Sequence, residues 1–213
     1  MNNDLTFVTN EKGQNLKQRF EVLIKNTDFF DCLVGYFYAS GFHAIYKSLK
    51  KTKKTRILIG ISTNQQTYEM MQKAKIAEQA SLRFSHAETK EQLGPIVEKE
   101  MEEIEENEKI EGGIYKFIEW IKDGRLEIRA YPSEKIHAKV YIMTFSEGDR
   151  DTGRVITGSS NFTQAGLMDN LEFNVELREN TDIDFATETF NKLWEESVPI
   201  AEEYIEKLQK ETY

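Results

Sequence analysis

Two apolar runs, Phe29 to Tyr38 and Thr55 to Ile61, limit what this chain can fold into more than any other feature. Each has the length of a strand, and neither keeps a polar face, so both faces of the sheet they enter must be covered. Between them, Gly41 to Leu49 sets Phe42, Ile45 and Leu49 on one side of a short helix. Ahead of them, Asn15 to Asn26 spaces Leu16, Phe20, Leu23 and Ile24 as an amphipathic helix does. The order helix, strand, helix, strand predicts an α/β fold. Its expected form is a mixed, mainly parallel β-sheet flanked by helices on both faces.

Further strands are expected at Leu126–Ala130, Ile136–Phe145, Arg154–Thr157 and Phe173–Leu177, with a polar turn over 146–153. The stretch around 65–121 reads as a helical insertion. It breaks at Gly94-Pro95, has Val97, Met101 and Ile104 as an apolar stripe, and ends in a helix carrying Tyr115, Phe117, Ile118 and Ile121. The segment 185–213 reads as helical with a break at Pro199, either a plain C-terminal helix or a linker toward a further domain. Residues 1–213 are expected to form a single domain.

No apolar run is long enough to span a bilayer, and the N-terminus lacks the pattern of a secretory signal. The single cysteine, Cys32, lies in an apolar run and reads as a buried thiol, which favours a reducing, cytoplasmic setting. Net charge is -9, which by itself argues against a nucleic-acid partner. The distribution is uneven, however. Lys47, Lys50, Lys51, Lys53, Lys54 and Arg56 crowd together, with Lys50, Lys51, Lys53 and Lys54 the candidate nucleic-acid contacts. The bland reading is a solvated helix end. Position decides between them: a cluster beside His137 can track a polynucleotide, and one on the far side cannot.

The chemistry centres on Ile136 to Phe145. Alternation sends His137, Lys139, Tyr141 and Met143 to one face and Ala138, Val140 and Ile142 to the other. A histidine and a lysine side by side on a buried strand call for an anion between them, because each cation disfavours the other. Gly158-Ser159-Ser160-Asn161 follows the next strand. Its small residues let backbone amides approach an anion, and the Asn161 amide can donate to a phosphate oxygen. Glu172, among apolar neighbours, is suited to fix an imidazole tautomer. His43 and His86 have no metal-ligand spacing and read as surface or packing residues, and no P-loop, dinucleotide fingerprint or zinc cluster is present. No metal or cofactor is expected.

His137-Ala138-Lys139, then Gly158-Ser159-Ser160-Asn161-Phe162-Thr163, then Glu172, resembles the signature of the phospholipase D superfamily. Residues 126–178 carry the resemblance, with weaker support from Gly35-Tyr36-Phe37 and Ile57-Leu58-Ile59-Gly60. The resemblance implies metal-independent phosphodiester hydrolysis through a phosphohistidine. Lys139, Ser159, Ser160 and Asn161 would bind phosphate, and Glu172 would orient the imidazole. Two departures stand out. Thr144 occupies the position of the usual supporting aspartate, and the motif occurs once where the chemistry uses two histidines. A homodimer, or a further region of a longer protein, would have to complete the site. The arrangement also looks like a domain found at the N-terminus of bacterial helicase-type and restriction-type proteins, which implies DNA as substrate. A non-catalytic DNA-binding module and a dimerisation domain are the other readings.

Overall fold

A computed structural model describes residues 6–11, 13, 15–35, 39–60, 116–117, 119–131 and 136–199. Their strands form one eight-stranded sheet. In chain order they are β1 (Phe7–Val8), β2 (Thr27–Val34), β3 (Lys54–Gly60), β4 (Leu126–Tyr131), β5 (Lys139–Phe145), β6 (Gly153–Gly158), β7 (Asn174–Leu177) and β8 (Val198–Pro199). Across the sheet the order is β1-β7-β6-β5-β2-β3-β4-β8.

The expected predominance of parallel pairing is corrected. Only β2–β3 and β3–β4 run parallel, and the remaining neighbours are antiparallel. The reason lies in the second half of the chain. β5 and β6 are joined by the short turn through Gly148 (φ 96°), which permits only an antiparallel pair. β5 then docks antiparallel on β2 and places this meander beside the parallel unit.

Helices cover both faces, as expected. On one side lie α1 (Leu16–Leu23), α2 (Ala39–Ile45) and the helical residues near Phe117 and Trp120. They bury Phe20, Phe42, Phe117 and Trp120 against Phe30, Cys32, Ile57, Tyr141, Met143 and Ile156. Asn15 starts α1 by accepting from the Gln18 amide (2.9 Å), satisfying one of the free N–H groups of the first turn. On the other side α3 (Asn180–Glu195) packs Ile183, Phe190 and Trp194 onto Leu33, Leu58, Ile142 and Val155. Arg56 lies over the rings of Phe190 (4.9 Å) and Trp194 (5.3 Å), while its Nε and Nη2 each donate to Asp31 at 2.7 Å. This arginine is therefore a packing element under α3 and not part of a free basic surface.

Several boundaries shift. The first buried strand is Thr27–Val34, because a 3-10 turn (Ile24–Asn26) ends α1 early, and 36–38 lie outside the described residues. The short helix starts and stops earlier than expected, at Ala39–Ile45, and a 3-10 turn over Ser48–Lys51 follows it. β5 starts at Lys139, two residues after His137. The last helix begins at Asn180 and ends at Glu195, before Pro199, which joins Val198 in an edge strand on β4. Proline is tolerated there because one edge needs no ladder donor. The segment 200–213, most of the expected insertion 65–121, and His86 within it lie outside the described residues. Two features had no counterpart in the reading of the sequence: edge strand β1 and a π-helical turn at Ala165–Asp169.

Candidate functional site

The sheet register brings the candidate residues to one end of three adjacent strands. Lys139 pairs with Val34 at the end of β2, and Val140 pairs with Thr157, one residue short of Gly158. Gly158 in turn pairs with Asn174 at the start of β7. His137 and Lys139 thus enter where Gly158-Ser159-Ser160-Asn161 leaves, and Glu172 arrives beside them. The alternation holds: Tyr141 and Met143 lie in the α1/α2 core, and Ala138, Val140 and Ile142 pack on the α3 side.

Glycines bring the backbones close enough. A methyl group on Gly60 would sit 2.5 Å from the Ile136 carbonyl, and one on Gly158 would sit 2.2 Å from that of Phe173. His137 is exposed, and Lys139 is half-buried with its ammonium donating to the His137 carbonyl at 3.0 Å. Ammonium and imidazole therefore share a short stretch of chain at one end of the central strands.

The serine-asparagine turn divides its residues between two tasks. Ser159 is exposed; its hydroxyl donates to Glu172 and accepts from the Phe173 amide at 2.9 Å. Ser160 is fully buried, and all its polar atoms are occupied. Its hydroxyl accepts from the Asn174 amide (2.9 Å), its N–H donates to Asn174 Oδ1 (3.3 Å), and its carbonyl accepts from the Tyr141 hydroxyl (2.7 Å). Ser160 shapes the turn from below. Asn161 is half-buried, with Oδ1 enclosed and unbonded. Glu172 accepts from Ser159 and, at 3.5 Å, from Asn170; among the described residues no hydrogen bond joins it to His137.

Asn174 and Tyr141 are the residues that sequence reasoning missed. Asn174 was visible only within the run that opens a strand, and Tyr141 only as a member of the face that carries His137 and Lys139. Burial, followed by Cys32 and Glu172, pushes the Tyr141 hydroxyl well above its ordinary pKa. It stays a proton donor, and rings of Phe20 (5.0 Å) and Phe162 (6.1 Å) fix its direction. A polar scaffold of this kind is costly unless every member is paired, which these are.

The lysine cluster lies elsewhere. Lys54 opens β3, and His137 lies beyond the other end of that strand, near Gly60. The two are separated by the strand's length, roughly 20 Å. Lys53 pairs with Asp28 at 2.7 Å and Lys54 pairs with Glu127, while Lys50 and Lys51 are exposed in the 3-10 turn. The structure does not bring Lys50, Lys51, Lys53 and Lys54 to the site. Thr144 also stands at that far end of β5, opposite Phe29 and Gly153, so it touches none of the candidate residues. His43 is half-buried on α2, stacked on Tyr46 at 5.6 Å. Among the described residues no group of acidic, histidine or cysteine side chains could hold a metal ion, and no helix is long and apolar enough to cross a membrane.

A family model described as "Cardiolipin synthase, PLD-like domain" matches residues 20–194, which contain β2 through β7, α3 up to its last residue, and all the candidate site residues. The chain belongs to this phospholipase D-like domain family. Two of the solved structures compared agree at the level of fold. Nuc from Salmonella typhimurium, a phospholipase D family member, superposes with a TM-score of 0.50 at 16% identity, over 91% of this chain and 95% of that one. Phosphatidylserine synthase from Haemophilus influenzae Rd KW20 gives 0.51 at 14% identity, over 96% of this chain and 44% of that one. TrmBL2, an archaeal chromatin protein, gives 0.43 at 16% identity, over 90% and 52% respectively. The chain therefore spans about half the length of two of these three proteins. A search of curated proteins finds no significant match. The phospholipase D-like fold accounts for both the mixed sheet and the single-ended cluster of candidate residues.

Proposed function

We propose that this chain is one half of a metal-independent phosphodiesterase, completed by a second copy of itself. In this reading His137 attacks phosphorus, the bond to the leaving oxygen breaks, and the second copy's imidazolium protonates that oxygen. The same imidazole, now neutral, takes a proton from water. The water oxygen then displaces the phosphoryl group from His137 and restores the starting state. Lys139 and Asn161 offset charge on the phosphoryl oxygens, and the Ser159 hydroxyl becomes a further donor once its single proton leaves Glu172. Ser160 serves the anion through the shape of the turn, since its own polar atoms are taken. A carboxylate has lone pairs to spare, so Glu172 can accept from an imidazole while still accepting from Ser159.

The observation that carries this reading is the meeting of His137, Lys139, Ser159, Asn161 and Glu172 at one end of β5, β6 and β7. DNA is the proposed substrate, on the resemblance to nuclease-type relatives. The remote lysine cluster lends it no support, so the substrate must be held by groups nearer His137. Association with a helicase-type motor belongs to the same proposal and rests on that resemblance alone; co-purification of an ATP-driven unwinding partner tests it. The non-catalytic alternative draws on Thr144, which stands roughly 20 Å along β5 from His137 and so weighs little. Hydrolysis of a chromogenic phosphodiester in excess chelator is the test. Turnover that survives chelator and is lost in His137→Ala supports the proposal, and turnover that persists in that variant sinks it.

A further inference from the structure

The segment before α1 holds β7 and the stretch leading into it at several points. The Glu176 amide donates to the Thr6 carbonyl (2.7 Å), the Asn174 side chain to the Val8 carbonyl (3.3 Å), and the Glu172 amide to the Thr9 carbonyl (3.3 Å). Asn10 closes this clasp. Its side-chain nitrogen donates to two carbonyls on the far side of the π-helical turn, Gly166 at 2.8 Å and Asn170 at 3.0 Å, while its oxygen accepts from the Leu16 amide at 2.8 Å. Among the described residues Asn10 is also the non-glycine residue with a positive φ, 59°, a conformation that asparagine tolerates better than most.

Each carbonyl that Asn10 grips is mechanically close to a candidate group. Gly166 packs directly on Asn161: a methyl group there would meet the Asn161 carbonyl at 2.5 Å and its amide nitrogen at 3.2 Å. Asn170 donates to Glu172 at 3.5 Å. One amide thus spans the segment whose two ends carry Asn161 and Glu172, and anchors it to the first residue of α1. We infer that Asn10 is a positioning residue, which sets the spacing of Asn161 and Glu172 and so the fit of the site to a phosphate group. The inference rests on the phosphate-binding reading of that site. Asn10 itself touches none of the reacting groups, so its effect must pass through the turn.

The experiment compares the parent chain with Asn10→Asp and Asn10→Gly. Glycine accepts the positive φ but makes no side-chain bonds. Aspartate keeps the shape and the acceptor for Leu16 but loses both donated bonds. Each protein is titrated with inorganic phosphate while the amide NMR signals of Ser159 and Asn161 are followed, and the thermal midpoint is recorded. The expected result is that both variants fold and bind phosphate on the order of tenfold more weakly than the parent, since positioning errors of about an ångström carry losses of this size or more. Asn10→Asp should regain part of the affinity once the pH is low enough to protonate its carboxyl and restore one donor, with Asn10→Gly as the control for titration of phosphate itself. Phosphate affinities within twofold of the parent in the folded variants would overturn the inference and leave the site intact. A parent chain whose Ser159 and Asn161 signals ignore phosphate would overturn the phosphate-binding reading itself.

Discussion

Asn174 sits under the serine-asparagine turn and binds Ser160 from both ends of one amide, while also reaching the Val8 carbonyl. Replacing it with leucine keeps the volume and strands these buried partners. Each costs about 1–3 kcal/mol when left unpaired, so urea unfolding of Asn174→Leu should show a loss of at least about 2 kcal/mol. Glu176 is more exposed to failure. Its side chain is 0% accessible and is approached by Arg19 (2.5 Å), Arg178 (3.2 Å) and Arg154 (3.4 Å). Glu176→Gln should destabilise by about 1.5–3 kcal/mol, because it removes the charge of the buried acceptor that these partly exposed guanidiniums share. His43 supplies a pH signature. Burial first, then Lys47 and Lys17, hold its pKa below the ordinary 6.5. The unfolded chain therefore binds the extra proton first. Stability should fall as pH drops from 6.5 toward the depressed folded value, and His43→Gln should remove that component from urea midpoints measured across the range. None of these three roles is written in local sequence: an asparagine, a glutamate and a histidine acquire them only from what the fold brings near.

At the scale of elements, the strand that carries the chemistry was the most legible part. Its alternation sorted Tyr141 and Met143 from Val140 and Ile142 correctly, because period-two patterning survives whatever the neighbours are. The motif spacing likewise located the turn after β6. Pairing direction was not legible. Two parallel-looking strands at the start of the chain gave no hint that β5 would dock antiparallel on β2. The end of α3 was also misread, since helical periodicity continues past Trp194 while Pro199 is taken up as an edge strand on β4. Gly158 shows why the junction of β6 with the turn tolerates little change. A methyl group there would stand 2.2 Å from the Phe173 carbonyl and 2.6 Å from the Asn174 Cα and Oδ1. Gly158→Ala should therefore both lower the thermal midpoint and weaken phosphate binding, whereas Gly148→Ala, in an open turn with φ 96°, should lower the midpoint alone.

At the scale of the whole molecule, a single motif copy means that the proposed two-histidine chemistry needs a second chain. If a second copy supplies the proton donor, His137→Ala mixed with parent protein in equal amounts forms hybrid pairs that lack one histidine. Activity should then fall to about a quarter of that of the same total amount of parent protein, against half for independent subunits. Exchange between subunits must be complete, which sedimentation of differently labelled chains can establish. The lysine cluster makes the complementary case. Lys50→Gln with Lys51→Gln removes two exposed charges at the opposite end of the strands and should leave turnover of a small diester unchanged. The central claim, attack by His137 on phosphorus, is tested most directly by rapid acid-free quenching of a chromogenic diester reaction in chelator, followed by mass spectrometry of the digested chain. A phosphoryl adduct is expected on the peptide containing His137, formed as fast as the first turnover and absent from His137→Ala. Turnover of the diester with no adduct on that peptide, or with the adduct on another residue, would contradict it.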